Sequence, residues 1–126
     1  MKNFFTYITF FILLSSFSHR IGIDDVIGAI RAGSASQVAK FFDNNVEISM
    51  PDKSNSYSKS QAELVLKDFF ITNPVKGFEI IHKGENAGSQ YCIGTLQTKN
   101  GSYRTTVFMK QKGEVQVLQE LRFENR

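Results

Sequence analysis

Apolar residues at Ile23, Val26, Ile27 and Ile30 recur with the spacing of one helix face; Asp24 or Asp25 is placed to cap its start and Gly33 to stop it. Ser34 or Ser36 then caps a second helix carrying Val38, Phe41 and Phe42 on one side and ending near Asp43-Asn44-Asn45. Val46, Ile48 and Met50 alternate with polar neighbours up to Pro51, which predicts a short half-exposed strand followed by a polar loop over 52–58. A longer helix comes next. Ser58 with Gln61, or Ser60 with Glu63, fits the reciprocal capping pattern, and Ala62, Val65, Leu66, Phe69 and Phe70 form one apolar face that ends before Pro74.

From Gly77 the period changes to two, and Ala87-Gly88, Asn100-Gly101 and Lys112-Gly113 divide the remainder into four strands of an antiparallel meander. Asn100-Gly101 is the strongest turn signal, because a two-residue type I′ turn needs positive φ at both central positions. It places Tyr103 opposite Thr98 and Phe108 opposite Ile93. The turn at Lys112-Gly113 places Phe108 opposite Val117 and Arg104 opposite Leu121.

Alternation then yields two faces. One holds Tyr91, Ile93, Thr95, Arg104, Thr106, Phe108, Val115, Val117, Leu121 and Phe123, and its aromatic content assigns it to the helices. Phe78, Ile80 and His82 join it if the turn at Ala87-Gly88 has two residues, and the opposite face if it has three. The other face holds Cys92, Gly94, Leu96, Tyr103, Thr105, Val107, Met109, Leu118, Glu120 and Arg122. With Leu96, Val107, Met109 and Leu118 it is too apolar to stand in water, which makes it a candidate dimer face.

The amino terminus adds a processing signal. Met1-Lys2-Asn3, an apolar stretch from Phe4 to Leu14 broken only by Thr6 and Thr9, and Ser15-Ser16-Phe17-Ser18 read as a secretory signal peptide cleaved after Ser18. The apolar run is well below the ~20 residues of a spanning helix. The expected mature protein is one α+β domain over residues 19–126, periplasmic or secreted, with no stable membrane insertion.

Composition narrows the chemistry further. The chain has 126 residues, 41% hydrophobic and 21% charged, which excludes collagen, coiled coil, solenoid and disordered classes. Removing Lys2 with the leader lowers the net charge from +3 to +2, and the basic residues are scattered, which argues against nucleic acid as a partner. The lone Cys92 allows no internal disulfide and reads as a small buried apolar residue. Two histidines and one cysteine cannot supply a usual zinc site, and neither a calcium loop, a phosphate-cradling glycine loop nor a nucleophile elbow is present. No cofactor or metal is expected.

The element order, two helices, a short strand, a long helix and four antiparallel strands, is that of the cone-shaped fold of the nuclear transport factor 2-like superfamily. Ala29 to Phe42, Asn45-Val46-Glu47-Ile48, Tyr57 to Glu63, Leu66 to Phe70, Phe78 to Lys83, Ser89-Gln90-Tyr91, Ile93 to Leu96 and Leu121 to Glu124 resemble domain-of-unknown-function family 4783, small exported bacterial proteins of that superfamily. The resemblance implies a concavity between sheet and helices that in the superfamily holds a steroid, a polyketide, a peptide or only side chains, and it supplies no catalytic motif. Phe78, Ile80, His82, Tyr91, Arg104 and Phe108 are the candidate pocket residues. The leading expectation is non-enzymatic binding of a small apolar or peptidic ligand or of a partner protein, with homodimerisation through the sheet. Its rivals are a small isomerase or dehydratase using His82 or Glu79 with Tyr91, and a purely structural dimerisation module.

Overall fold

The computed structural model describes residues 22–126; the proposed leader over 1–18, its cleavage site and His19 lie outside them. Helix α1 spans Ile23–Arg31, and the Asp25 carboxylate accepts the Gly22 N–H at 3.0 Å. Gly33, at φ +66°, ends this segment in the left-handed region, where the absence of a Cβ removes the steric cost. Helix α2 covers Ala35–Ala39, with the Ser34 hydroxyl accepting from the Gln37 N–H at 3.3 Å.

The second helix is shorter than its apolar spacing predicts. Phe41 and Phe42 are not helical: the Phe41 carbonyl accepts the Leu118 N–H at 2.6 Å, and strand β1 starts at Phe42 and runs to Ser49. Pairing with the sheet satisfies the backbone there better than one more turn of a short helix does. The expected loop over 52–58 contains a further strand, β2, Ser54–Ser58, antiparallel to β1. Its Ser-Asn-Ser-Tyr-Ser sequence has no hydrophobic alternation; backbone pairing with β1, the Ser49–Ser54 hydroxyl contact at 2.8 Å and Tyr57 packed on the core hold it at the edge. Helix α3, Lys59–Thr72, takes Ser58 as its cap, with Gln61 completing the reciprocal arrangement, and buries Ala62, Leu66, Phe69 and Phe70.

Strands β3 (Val75–Asn86), β4 (Ser89–Thr98), β5 (Gly101–Lys112) and β6 (Val115–Asn125) complete one six-stranded sheet, ordered β2-β1-β6-β5-β4-β3. Only the β1/β6 pair is parallel. The two-residue turn with positive φ at both positions occurs at Ala87-Gly88, not at Asn100-Gly101. Thr98 pairs with Gly101, so Lys99-Asn100 form the second turn and Phe108 faces Tyr91 instead of Ile93. That is a two-residue slip, which preserves the faces within β4 and β5.

Three bulges in the meander do not preserve them. The register shifts between Val75 and Gly77 and between Ile80 and His82 on β3, and opposite Phe108 and Met109 on β6, where Gln119 is the extra residue. Each bulge exchanges the faces of everything beyond it. Leu121 and Phe123 therefore pair with Val107 and Thr105, while Glu120 and Arg122 stand beside Phe108 and Thr106. Phe78 and Ile80 pair with Leu96 and Gly94, on the opposite side of the sheet from His82 and Tyr91.

The face covered by the helices is the reverse of the one expected. Leu96, Val107, Met109 and Leu118, read as a dimer face, are 0% exposed and form the core with Cys92, Leu121 and Phe123. The helices supply the apolar partner that this face requires. The Phe69 ring stacks on Phe123 at 4.2 Å between centroids and meets Tyr103 edge-on at 5.2 Å, so aromatic side chains occupy the space between the layers.

Candidate functional site: the uncovered face of the sheet

The six candidate pocket residues do not line one pocket. Phe78 is buried and Ile80 half-buried in the core, whereas His82, Tyr91, Arg104 and Phe108 lie on the side of the sheet that none of the described helices covers. Phe78 reaches the core because Gly94 faces it. A Cβ at Gly94 would lie 2.7 Å from the Phe78 ring and 2.6 Å from the Glu79 carbonyl.

On the uncovered face, Tyr91 pairs with Phe108 and Ile93 with Thr106, and Val117, beside Lys110, lies diagonally from Phe108. Tyr91, Ile93, Thr106, Phe108 and Val117 are all half-buried, shielded only by their neighbours on the strands. Tyr91 lies over Gly84, where a Cβ would come within 2.6 Å of its ring. Its hydroxyl is 2.8 Å from Nε2 of His82, and the two rings are tilted by 45° at 5.5 Å.

Charge of both signs rims this apolar centre. Arg122 contacts Glu120 at 2.6 Å and Glu124 at 4.0 Å, and Arg126 donates to the Thr95 hydroxyl at 2.8 Å. Arg104 pairs with Glu124 in register, and Glu79 with Thr95. At the end of β5, Lys112 meets Asp43 at 2.7 Å and Gln119 donates to the same carboxylate at 3.1 Å. The Lys112 ammonium, with the Asn44 N–H and Gln119 adding to it, holds the Asp43 carboxyl below its ordinary value against the opposing effect of burial.

His82 and Tyr91 are thus brought together as the enzyme reading requires, but His82 is exposed, and among the described residues no wall encloses it to exclude water or fix a substrate. Glu79 stands exposed on the same strand. Cys92 is buried in the core, where desolvation pushes its thiol up to about 11, the environment of an inert thiol. Among the described residues, no cluster of three or more His, Cys, Asp or Glu forms a metal site, and no helix is long and apolar enough to cross a membrane. A groove of about 370 Å³ lies elsewhere, between α2 and α3, with Ser34, Ser36, Glu63, Lys67, Phe70 and Ile71 among its lining residues. None of the candidate pocket residues lines it.

Ile93, Thr106 and Val117 were not singled out as site residues. Their signal was their alternation with Tyr91 and Phe108, but that pattern pointed equally to a core.

A curved six-stranded sheet with the helices on one side, in this chain order, defines an NTF2-like α+β domain. Residues 23–124 match the family model described as "Domain of unknown function (DUF4783)", and the chain belongs to that family. It is similar to a DUF4783 family protein from Bacteroides ovatus, at 28% identity and TM-score 0.80, over 86% of this chain and 98% of that one. A second, from Bacteroides uniformis, is 28% identical with TM-score 0.79, over 82% and 95% of the two chains. An NTF2-like protein of unknown function from Cytophaga hutchinsonii shares the fold at 9% identity and TM-score 0.57, over 79% and 81%. No curated protein matches the chain.

Proposed function

We propose that this is an exported, non-enzymatic interaction domain that pairs with a second copy of itself through the uncovered face of its sheet. The observation that carries the reading is the contiguous patch of Tyr91, Ile93, Thr106, Phe108 and Val117 over the three strands β4, β5 and β6, with none of the described helices above it. Apolar surface of this kind is stabilised by removal from water at about 25 cal/mol per Å².

Size and charge support a second copy as the occupant. A patch three strands wide, at about 4.8 Å per strand, and about 25 Å long projects roughly 360 Å², and the charged rim around it extends this toward the ~800 Å² per partner of a standard interface. The rim holds Arg104, Lys110 and Arg122 together with Glu79, Glu120 and Glu124, so both signs are available for pairing across a two-fold axis. The aromatic residues filling the interior favour protein pairing over a small ligand between the layers.

Sedimentation of the protein purified from an exporting host tests this. A concentration-dependent dimer is expected, with Phe108→Arg yielding a folded monomer. A monomer at all concentrations, or a dimer indifferent to Phe108→Arg, would overturn the pairing. Mass spectrometry of the same sample checks export. A chain beginning at His19 is expected, and one retaining Met1 would contradict cleavage after Ser18.

A further inference from the structure

We propose that the groove between α2 and α3 binds a free α-amino acid with an apolar side chain. The site lies in the helix layer, so it stands whether or not two copies pair through the sheet.

Unequal walls create the groove. Residues 33–36, Gly-Ser-Ala-Ser, are all small, and Gly33, at φ +66°, turns the chain from α1 into α2. Facing them on α3 stand Glu63, Lys67, Phe70 and Ile71, whose spacing puts them on one helix face. Small residues opposite long ones leave about 370 Å³ open, within the ~300–1,000 Å³ of small-molecule sites.

The charged groups of the groove have both signs. Glu63 and Lys67 stand one turn apart, in the order in which a carboxylate and an ammonium ordinarily join, with Cβ atoms ~5–6 Å apart. Among the described residues, neither takes part in an ion pair. The Ser34 hydroxyl accepts the Gln37 N–H at 3.3 Å and lies 3.3 Å from the Ser36 hydroxyl, which leaves one O–H of the two to donate. Phe70, 7% exposed, and Ile71, 66% exposed, supply the apolar surface.

A matching occupant carries a cation and an anion close together and an apolar body beside them. An α-amino acid has both charges on one carbon. Glu63 takes its ammonium, Lys67 and the remaining hydroxyl take its carboxylate, and its side chain lies along Phe70 and Ile71. A peptide interior carries neither charge, and a fatty acid carries one. Because Lys67 is exposed, water weakens its pairing, and a dissociation constant on the order of 1 mM is expected.

The experiment is titration of the isotope-labelled protein with L-phenylalanine near pH 7, followed by amide chemical shifts. Saturable shifts are expected at residues 33–36 and 63–71. N-acetyl-L-phenylalanine, without the ammonium, and L-phenylalaninamide, without the carboxylate, should each bind about 10-fold more weakly. Glu63→Gln should abolish the advantage over the acetyl compound, and Lys67→Gln that over the amide. No saturable shift, shifts confined to other parts of the molecule, or equal affinity for the three compounds overturns the site. The three compounds decide on the wild type alone if a variant fails to fold.

Discussion

The hydroxyl of Tyr103, on β5, donates to Oδ1 of Asn73 at 3.0 Å, across the end of the cone where helix α3 stops. Asn73 is only 6% exposed, and its own Nδ2 donates to the Phe69 carbonyl at 3.1 Å. Lys99 N–H to the Pro74 carbonyl at 3.0 Å, and the Asn100 amide to the Thr72 carbonyl, strap the β4–β5 turn over the same helix end. The Thr72 carbonyl that the helix leaves open is met by the β4–β5 turn and the Phe69 carbonyl by Asn73, which fixes how the two layers meet.

Tyr103→Phe leaves the buried Asn73 oxygen without this donor and is expected to cost about 1–3 kcal/mol in urea unfolding. In an Asn73→Ala background the same change should cost much less. Equal costs in the two backgrounds would show that the hydrogen bond contributes nothing beyond the packing of the ring on Phe69.

The two sides of β5 should respond oppositely to the same substitution. Met109→Arg places a charge in a fully buried position and is expected to abolish the cooperative near-ultraviolet circular dichroism transition, at a cost of several kcal/mol. Phe108→Arg, one residue away, should leave that transition within about 1 kcal/mol of the wild type. A folded Met109→Arg variant would contradict the assignment of the core face.

Asp43 and Lys112, with side chains 12% and 53% exposed, join the start of β1 to the β5–β6 turn. Because the folded state holds the Asp43 carboxyl below its ordinary value near 3.8, the pair stabilises the fold above that value, and the contribution is lost as pH falls through the folded value. Lys112→Met should therefore lower stability at pH 7, with the gap to the wild type closing below about pH 4. A gap that is constant from pH 7 to pH 3 would rule out the ion pair as its cause.

Local patterns carried much of this architecture. The spacing of Ile23, Val26, Ile27 and Ile30, the Ser58/Gln61 cap, Pro74 and the glycines after each hairpin determined the helices, the strands and their antiparallel succession, because each is set within a few residues by backbone geometry and capping. Strand β2 was not legible, since its pairing with β1 requires no apolar alternation.

The candidate site was legible as a set of residues and not as a place. Tyr91 and Phe108 were recognised as large side chains of one face, but whether that face met helices or water depended on the partner layer. One sign of the β6 bulge does exist in the chain: the odd spacing from Leu118 to Leu121 breaks the period of two, as the adjacent Ile80 and Ile81 do on β3. The sequence by itself determined the three helices, the strand before Pro51 and the four strands of the meander in their order, with the alternating sets of side chains on β4 and β5. Only the tertiary structure decided which set became the core, because one-residue bulges on β3 and β6 exchange whole strand segments between faces, and because the helices can cover only one side of the sheet.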